Sequence, residues 1–504
     1  MQNSQPTISS NILPFQPELR PVLPTIEGNV DYLEFRSQLE RMNEILVMSG
    51  VEARFVAHSL KQWLGRKGRS VQSMNHAHRL RFQIHSMRAL RCNLARTLLG
   101  EDFRGMSARM ADSPLLQWFC GLGRMERVRV PAKSTLQRYA EWVDADGMRE
   151  IIERLLQKAV EGDPRLRMKA PLDAGTCFLD TTCVKANIHF PVDWVLLRDA
   201  TRTLMKACQL IREHGLRHRM EEPSEFMRRM NRLSIQMSGA RRKADSKKER
   251  KRALRLMKKQ VKVVASHAGR YRQLLDTQWA KTDWTRREAE VVLRRIDGVL
   301  ELLPQAQKQA HERIIGERVV ANADKILSLY EREIRVIVRG KAGAEVEFGN
   351  TLILGESAQG VIVDWQLIRQ QAPADCMLVK ESVRRVKRAL GKNRLEAVGG
   401  DRGFDSSGNR WFLEQEGLFN AICPRDPRRV AERMEDERFM EMQRRRAQTE
   451  GRIGIFKNGF LGRPMRAKGF GHREIQVAWG VLTHNLWVIA RLPVVKRRQV
   501  RQAA

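Results

Sequence analysis

The run Thr176-Cys-Phe-Leu-Asp180-Thr-Thr-Cys-Val184 constrains the fold more than any other stretch. It is apolar and β-branched, with Pro171 and Gly175 just before it. Such a run reads as a central strand buried on both faces, so the chain must build a sheet around it. An aspartate in the middle of a buried strand is costly unless it is paired or metal-bound. Asp180 is therefore the first candidate functional residue. The competing role is a carboxylate that merely accepts a nearby backbone N–H.

The remaining strands lie far downstream. Ile334–Val338, ended by Gly340, is one; Val346–Leu354 and Gly360–Gln366 form a hairpin. A helix is expected over Cys376–Leu390. Leu395-Glu-Ala-Val398 then enters Gly399-Gly400-Asp401-Arg402-Gly403-Phe404. An aspartate framed by glycines at a strand end has backbone room around it, and sites in α/β sheets gather there. Phe419–Cys423 is a further short strand, followed by helix over 426–449. The helical stripe then reaches Arg446, Glu450 and Lys457, whose offsets of four and seven fall on one face. A carboxylate flanked by two long cations can ligate Mg²⁺ and hold phosphate oxygens. An exposed salt-bridge face has the same spacing. The chain closes with an apolar helix, Val477–Leu492, in which Trp479 and Trp487 read as core. His472 and Arg473 precede it in a polar turn, read either as backbone contacts to a nucleic acid or as plain surface.

Upstream, residues 1–30 carry five prolines and read as an extended or disordered arm. An amphipathic helix starts at Asp31 with Tyr32, Phe35, Leu39, Met42 and Leu46 on one side. Residues 87–143 read as a compact helical module with Arg88, Arg91 and Arg96 on its first helix. Ser113-Pro114 opens a further helix that Gly121 and Gly123 stop. Ser134-x-x-Gln137 then supplies a capping box for the next. This arrangement suits a helix-turn-helix whose second helix carries Lys133, Gln137 and Arg138 into a major groove. A plain helical bundle is the other reading. Residues 195–335 are mostly helical. Within them, positions 241–262 hold twelve Lys/Arg and two acidic residues, with Leu254, Met257, Val261 and Val264 as a thin apolar stripe. A helical hairpin or coiled coil with a basic outer face follows, either a clamp on a DNA backbone or a solvated surface.

The overall charge of +34, from 92 Lys+Arg against 58 Asp+Glu, calls for a polyanionic partner, with double-stranded DNA first and a membrane surface second. No apolar run is long enough to span a bilayer. The N-terminus lacks an export-signal layout. Seven cysteines without a CxxC pair fit reduced thiols, and a cytoplasmic, nucleoid-associated location is expected. Cys177, Cys183 and His189 are close in sequence, but small residues buried in a strand are the better reading than a zinc site.

Asp180 on a central strand, Asp401 at a strand end and Glu450 on a helix can converge on one edge of a sheet. Three such carboxylates can hold two hard cations about 3.5–4 Å apart, the arrangement for in-line phosphoryl transfer. At these residues the chain resembles bacterial insertion-sequence transposases of the DDE class. Asp180-Thr-Thr-Cys-Val-Lys-Ala-Asn187-Ile-His-Phe-Pro191-Val-Asp193 is similar to the segment around their first catalytic aspartate. Val346-Glu-Phe-Gly349 is similar to their paired central strands. Asp401-Arg-Gly-Phe404 is similar to their second aspartate motif, where tyrosine often stands in place of Phe404. Arg446, Glu450 and Lys457 match the Tyr-x2-Arg-x3-Glu-x6-Lys signature of one branch, with Gln443 in place of its tyrosine. The resemblance implies a mixed α/β fold: an RNase H-like catalytic core from 170–196 and 335–492, a helical DNA-binding domain with a helix-turn-helix at 31–160, a basic helical insertion at 197–334 and a basic tail at 493–504. The insertion accounts for the long span between Asp180 and Asp401. The resemblance implies two Mg²⁺ or Mn²⁺ ions on Asp180, Asp401 and Glu450, DNA contacts from Arg446, Lys457 and Arg402, a homo-oligomer on DNA, and cleavage of element ends followed by strand transfer. An RNase H-like nuclease without strand transfer and a non-catalytic DNA-binding protein are the alternatives.

Overall fold

The computed structural model describes residues 23, 25–65, 70, 74–124, 127–239, 246–341, 344–391, 393–462 and 464–495. The expected arm at 1–30 and the basic tail lie almost wholly outside these residues. The structure is mixed α/β and divides into two compact units. The first takes the chain up to Val184, Thr351–Ile368 and everything from Ala372 onward; the second takes Lys185–Asn350 and Arg369–Gln371.

The first unit opens with helices α1 (Val30–Met48), α2 (Val51–Leu64), α3 (His76–Leu98), α4 (Phe103–Asp112) and α5 (Pro114–Cys120). The α5 boundaries follow the sequence signals. Ser113 accepts the Leu116 N–H, Pro114 is the first helical residue, and Gly121 ends the helix at φ 64°. The glycine-bearing connection expected next carries more than a turn. A small antiparallel pair, β1 (Gly123–Arg124) and β2 (Arg127–Val128), fills the connection before α6 (Lys133–Ala140). The Ser134 capping box is absent as well. After Pro131, Ala132 takes extended backbone and its carbonyl accepts the Leu136 N–H at 3.0 Å. Ser134 thus lies inside the first turn, past the position from which a side chain can cap. Helix α7 (Ala145–Val160) leads to β3 (Thr176–Lys185).

Three arginines of α3, Arg88, Arg91 and Arg96, are turned inward. Arg91 pairs with Glu52 and donates to the Phe119 carbonyl at 3.0 Å; Arg88 donates to the Gly121 carbonyl at 2.8 Å. They satisfy carbonyls at the C-terminal end of α5 that the helix itself leaves open. Arg96 reaches Gln476 and lies over the Phe103 ring.

The second unit is led by four helices: α8 (Asp193–Glu213), α9 (Pro223–Gly239), α10 (Ser246–Gln278) and α11 (Arg286–Ile314). They pack around a core of their own that includes Leu204, Met205, Tyr271 and Ile296. The apolar stripe of α10, Leu254, Met257, Val261 and Val264, is fully buried in it. Lys248, Arg252, Arg255, Lys259 and Lys262 stay exposed on the opposite side. Residues 241–245 of the basic run lie outside the described residues. A capping box between Thr285 and Glu288 starts α11. Strand β4 (Arg335–Lys341) pairs antiparallel with the first half of β5 (Ala344–Glu356). Gly340 does not end β4 as expected; the strand runs on to Lys341 through a register shift after Val338.

Back in the first unit come β6 (Ile362–Leu367), α12 (Val379–Leu390), β7 (Ala397–Gly400), α13 (Ser407–Gln415), β8 (Phe419–Ile422), α14 (Pro427–Arg433), α15 (Glu437–Ile455) and α16 (Phe470–Ala490). The six-stranded sheet has the order β4-β5-β3-β7-β8, with β6 also on β5. Strands β3, β7 and β8 run parallel, while β5 and β6 form the expected antiparallel hairpin. Helix α16 is apolar nearly all round and is buried accordingly, with Val477, Trp479, Val481, Leu482 and Leu486 fully covered. It begins earlier than expected, at Phe470. Among the described residues, no helix is long and apolar enough to cross a membrane.

Candidate active site

The pairing of β3 with β7 sets the position of the first two carboxylates. Thr176 pairs with Ala397, Cys177 with Val398 and Phe178 with Gly399. The same register, carried two residues further, sets Asp180 beside Asp401. Neighbouring strands lie roughly 5 Å apart, and in-register parallel residues share a face. Asp401 keeps extended backbone (φ −78°, ψ −178°), so the alternation holds to the end of β7. The long sequence gap between the two aspartates is therefore the strand register itself. Phe178 shares this face, and a side chain on Gly399 would collide with its ring at 2.7 Å.

Each aspartate is oriented by one backbone donor. Asp180 Oδ1 accepts the Thr181 N–H at 2.7 Å, and Asp401 Oδ1 accepts the Gly403 N–H at 2.8 Å. The local backbone bond weighed from sequence as a rival role for Asp180 is thus present. Such a bond aims the carboxylate. The Asp401 turn is held from below and outside. Phe404 is fully buried, and Arg425 donates to the Arg402 and Gly403 carbonyls at 2.9 and 3.0 Å. Arg402 itself is exposed.

Helix α15 is docked on the same face. Gln443 donates to the Ala421 carbonyl on β8 at 2.7 Å, and the Arg445 guanidinium lies 5.1 Å from the Phe178 ring centre. Beyond the helix, Lys457 donates to Thr182 Oγ1 at 2.8 Å. Phe178, Asp180 and Thr182 alternate onto one side of β3. Glu450 lies between Arg445 and Lys457 in the chain, and Asp180 lies between the two β3 residues they touch. The helix thus brackets the aspartate. Glu450 is exposed, while Arg446 and Lys457 are half-buried. Arg446 bonds to Gln443 at 3.3 Å, so Gln443 links the sheet to the stripe. The α-helix gives way to a π-helical segment, Phe456–Leu461, with Lys457 at its start. Such wide turns recur at functional sites.

Glu356, at the end of β5, is the residue that sequence reasoning missed. It is buried, and its Oε1 receives Arg445 and Arg452 of α15, each at 2.8 Å. Arg445 also donates to the Ala358 and Ser357 carbonyls. One buried carboxylate therefore pins the helix that carries Glu450. The period of α15 placed Arg445 off the functional stripe, and nothing in the sequence of β5 linked Glu356 to it. Asp375 was missed too. A methyl group on Gly403 would meet Asp401 Oδ1 at 2.9 Å and Asp375 Oδ2 at 3.1 Å, so a further carboxylate approaches this edge.

Among the described residues, no three His, Cys, Asp or Glu side chains are gathered as a ready metal cluster. The β3–β7 register, continued past its last pair, runs toward Asp180 and Asp401, and Glu450 stands on α15. Hard carboxylate oxygens of this kind suit Mg²⁺ or Mn²⁺. Cys177 and Cys183 are buried and in no disulfide, and burial pushes the Cys177 thiol well up, which fits packing rather than zinc ligation. Arg473 does not lie in an exposed turn. The early start of α16 carries it into the helix, where it is buried. His472 is exposed, 3.3 Å from Glu141. Lys133, Gln137 and Arg138 form an exposed face of α6, opposite buried Leu136 and Tyr139. No protein-family model, curated protein or solved structure matches the chain.

Proposed function

We propose that this chain is a DDE-type transposase with an RNase H-like core, which cuts the ends of a DNA element and joins them to target DNA. The observation that carries the reading is the β3–β7 register, which sets Asp180 level with Asp401 under the helix that bears Glu450. Asp180, Asp401 and Glu450 would hold the divalent ions. When bound, such ions supply a water nucleophile and neutralise charge on the reacting phosphate. The residues themselves do the rest. The backbone donors at Thr181 and Gly403 aim the two aspartates. Arg446 and Lys457 flank Glu450 and would grip phosphate oxygens beside the scissile bond. Exposed Arg402 follows Asp401 and would meet the same strand. Lys133, Gln137 and Arg138 on α6 would contact the duplex, and the basic side of α10 would track its backbone.

The test is cleavage of labelled duplex carrying the element's ends, with Mg²⁺ or Mn²⁺, wild type beside Asp401→Asn. Metal-dependent cutting that the variant loses supports the carboxylate site, and joined products separate a transposase from a nuclease. DNA binding with no cutting by the wild type moves the reading to a binding protein.

A further inference from the structure

Phe, Trp and Tyr make up only 6% of the chain, yet four of them and a histidine gather at the N-terminal half of α3. Trp63 meets His78 and Phe82 edge-on, and Tyr139 meets Trp142 edge-on. Phe82 and Trp142 face each other with centres 6.2 Å apart and planes inclined by 32°. The group is not sealed as a core. Phe82 and Trp142 line a cleft of about 430 Å³, with Asn75, His78, Arg81 and His85 around them. His78, Arg81 and His85 are exposed, while Phe82 and Trp142 are half-buried. The Trp142 indole N–H donates to Ser86 at 3.0 Å, and the Tyr139 hydroxyl lies 3.2 Å from His85 Nδ1. The polar ends of the aromatic wall are thus tied back, which holds the wall in place.

We propose that this cleft binds one unpaired nucleotide of a DNA strand, with its base on Trp142 and Phe82 and its phosphate against Arg81 and His78. Aromatic side chains take any base by its π-face, and nearby cations take the backbone. Trp142 follows α6 by two residues, and α6 presents Lys133, Gln137 and Arg138. A duplex on that face would therefore end or open beside the cleft. The proposal rests on the DNA-binding part of the proposed function, but not on cleavage.

The test is done without metal, on the full chain. A short single strand with one 2-aminopurine, the same base fully paired in a duplex, and free 2-aminopurine nucleotide are titrated in parallel. The expected result is quenching by the wild type with the single strand and not with the duplex or the free nucleotide. Trp142→Leu and Arg81→Gln each weaken single-strand binding, by about five- to a hundredfold for the tryptophan. Trp142→Phe retains most of it, and all three variants bind duplex as the wild type does. Single-strand affinity unchanged in Trp142→Leu and Arg81→Gln overturns the cleft while leaving DNA binding intact. Quenching by the free nucleotide alone overturns the DNA strand as its occupant. Failure to bind any DNA overturns both this inference and the reading it rests on.

Discussion

The sheet edge and helix α15 each bring carboxylate to the candidate site, and they are held by different forces. Asp180 and Asp401 sit where strand pairing puts them. Moving one against the other would mean breaking a parallel ladder, and a slip of one residue would turn every side chain to the wrong face. Glu450 rides on a helix held mainly by side chains: Arg445 and Arg452 on Glu356, Gln443 on β8, and Lys457 on Thr182. Backbone pairing fixes the two aspartates relative to each other. Ion pairs to Glu356 tie down the helix that bears the glutamate, and ion pairs can be altered singly.

That contrast orders the expected effects. Removing a carboxylate from the edge is the most severe change. Asp180→Asn should slow DNA cleavage by about three orders of magnitude, or about 4 kcal/mol of barrier, while leaving DNA binding and folding near wild type. Next comes the tether. Glu356→Gln leaves two guanidinium groups without their buried partner. It should lower unfolding free energy by roughly 3 kcal/mol and cleavage by about ten- to a hundredfold, with a raised Mg²⁺ requirement. A variant that is less stable but cuts at the wild-type metal dependence would show that the tether does not position Glu450.

Smaller effects test the periphery. Replacing exposed Arg252, Arg255 and Lys262 of α10 with glutamine should flatten the plot of log affinity against log salt by up to about 3 units, with cleavage chemistry unchanged at saturating DNA. An unchanged slope would make α10 a solvated face. His484 gives the mildest signal. It is packed among Phe456, Phe460 and Trp487, and burial lowers its pKa to about 4. The unfolded chain takes up a proton near pH 6.5 and the folded one does not until about 4. Stability is therefore full above pH 6.5 and falls as pH drops through that window, by about 3 kcal/mol in total. His484→Asn should flatten this part of the stability profile measured by denaturant unfolding.

The strands were legible because their signals are local: Thr176–Lys185, the β5–β6 hairpin and the glycine-framed end of β7 all appear close to where their residues predict. The α5 caps were legible for the same reason. The connection from α5 to α6 was not, because Pro131 and Ala132 set the helix start ahead of Ser134, whose hydroxyl would otherwise have marked it. Charge misled in one region and informed in another. Arg88, Arg91 and Arg96 look like a basic face in sequence but are spent on carbonyls, Glu52 and Gln476, whereas Lys248, Arg252, Arg255, Lys259 and Lys262 of α10 remain outside. The two aspartates could be nominated from their strands. The β3–β7 register that relates them, and the ion pairs from Glu356 to the helix of Glu450, are long-range features that no single segment carries.

The most direct test of the central claim is a double-mutant cycle on cleavage with Asp401→Asn and Glu450→Gln. If the edge and the helix form one site, each single change disables it and the double variant is no slower than the slower single one. Full activity in Glu450→Gln, or effects that multiply as for independent residues, would contradict a shared three-carboxylate site.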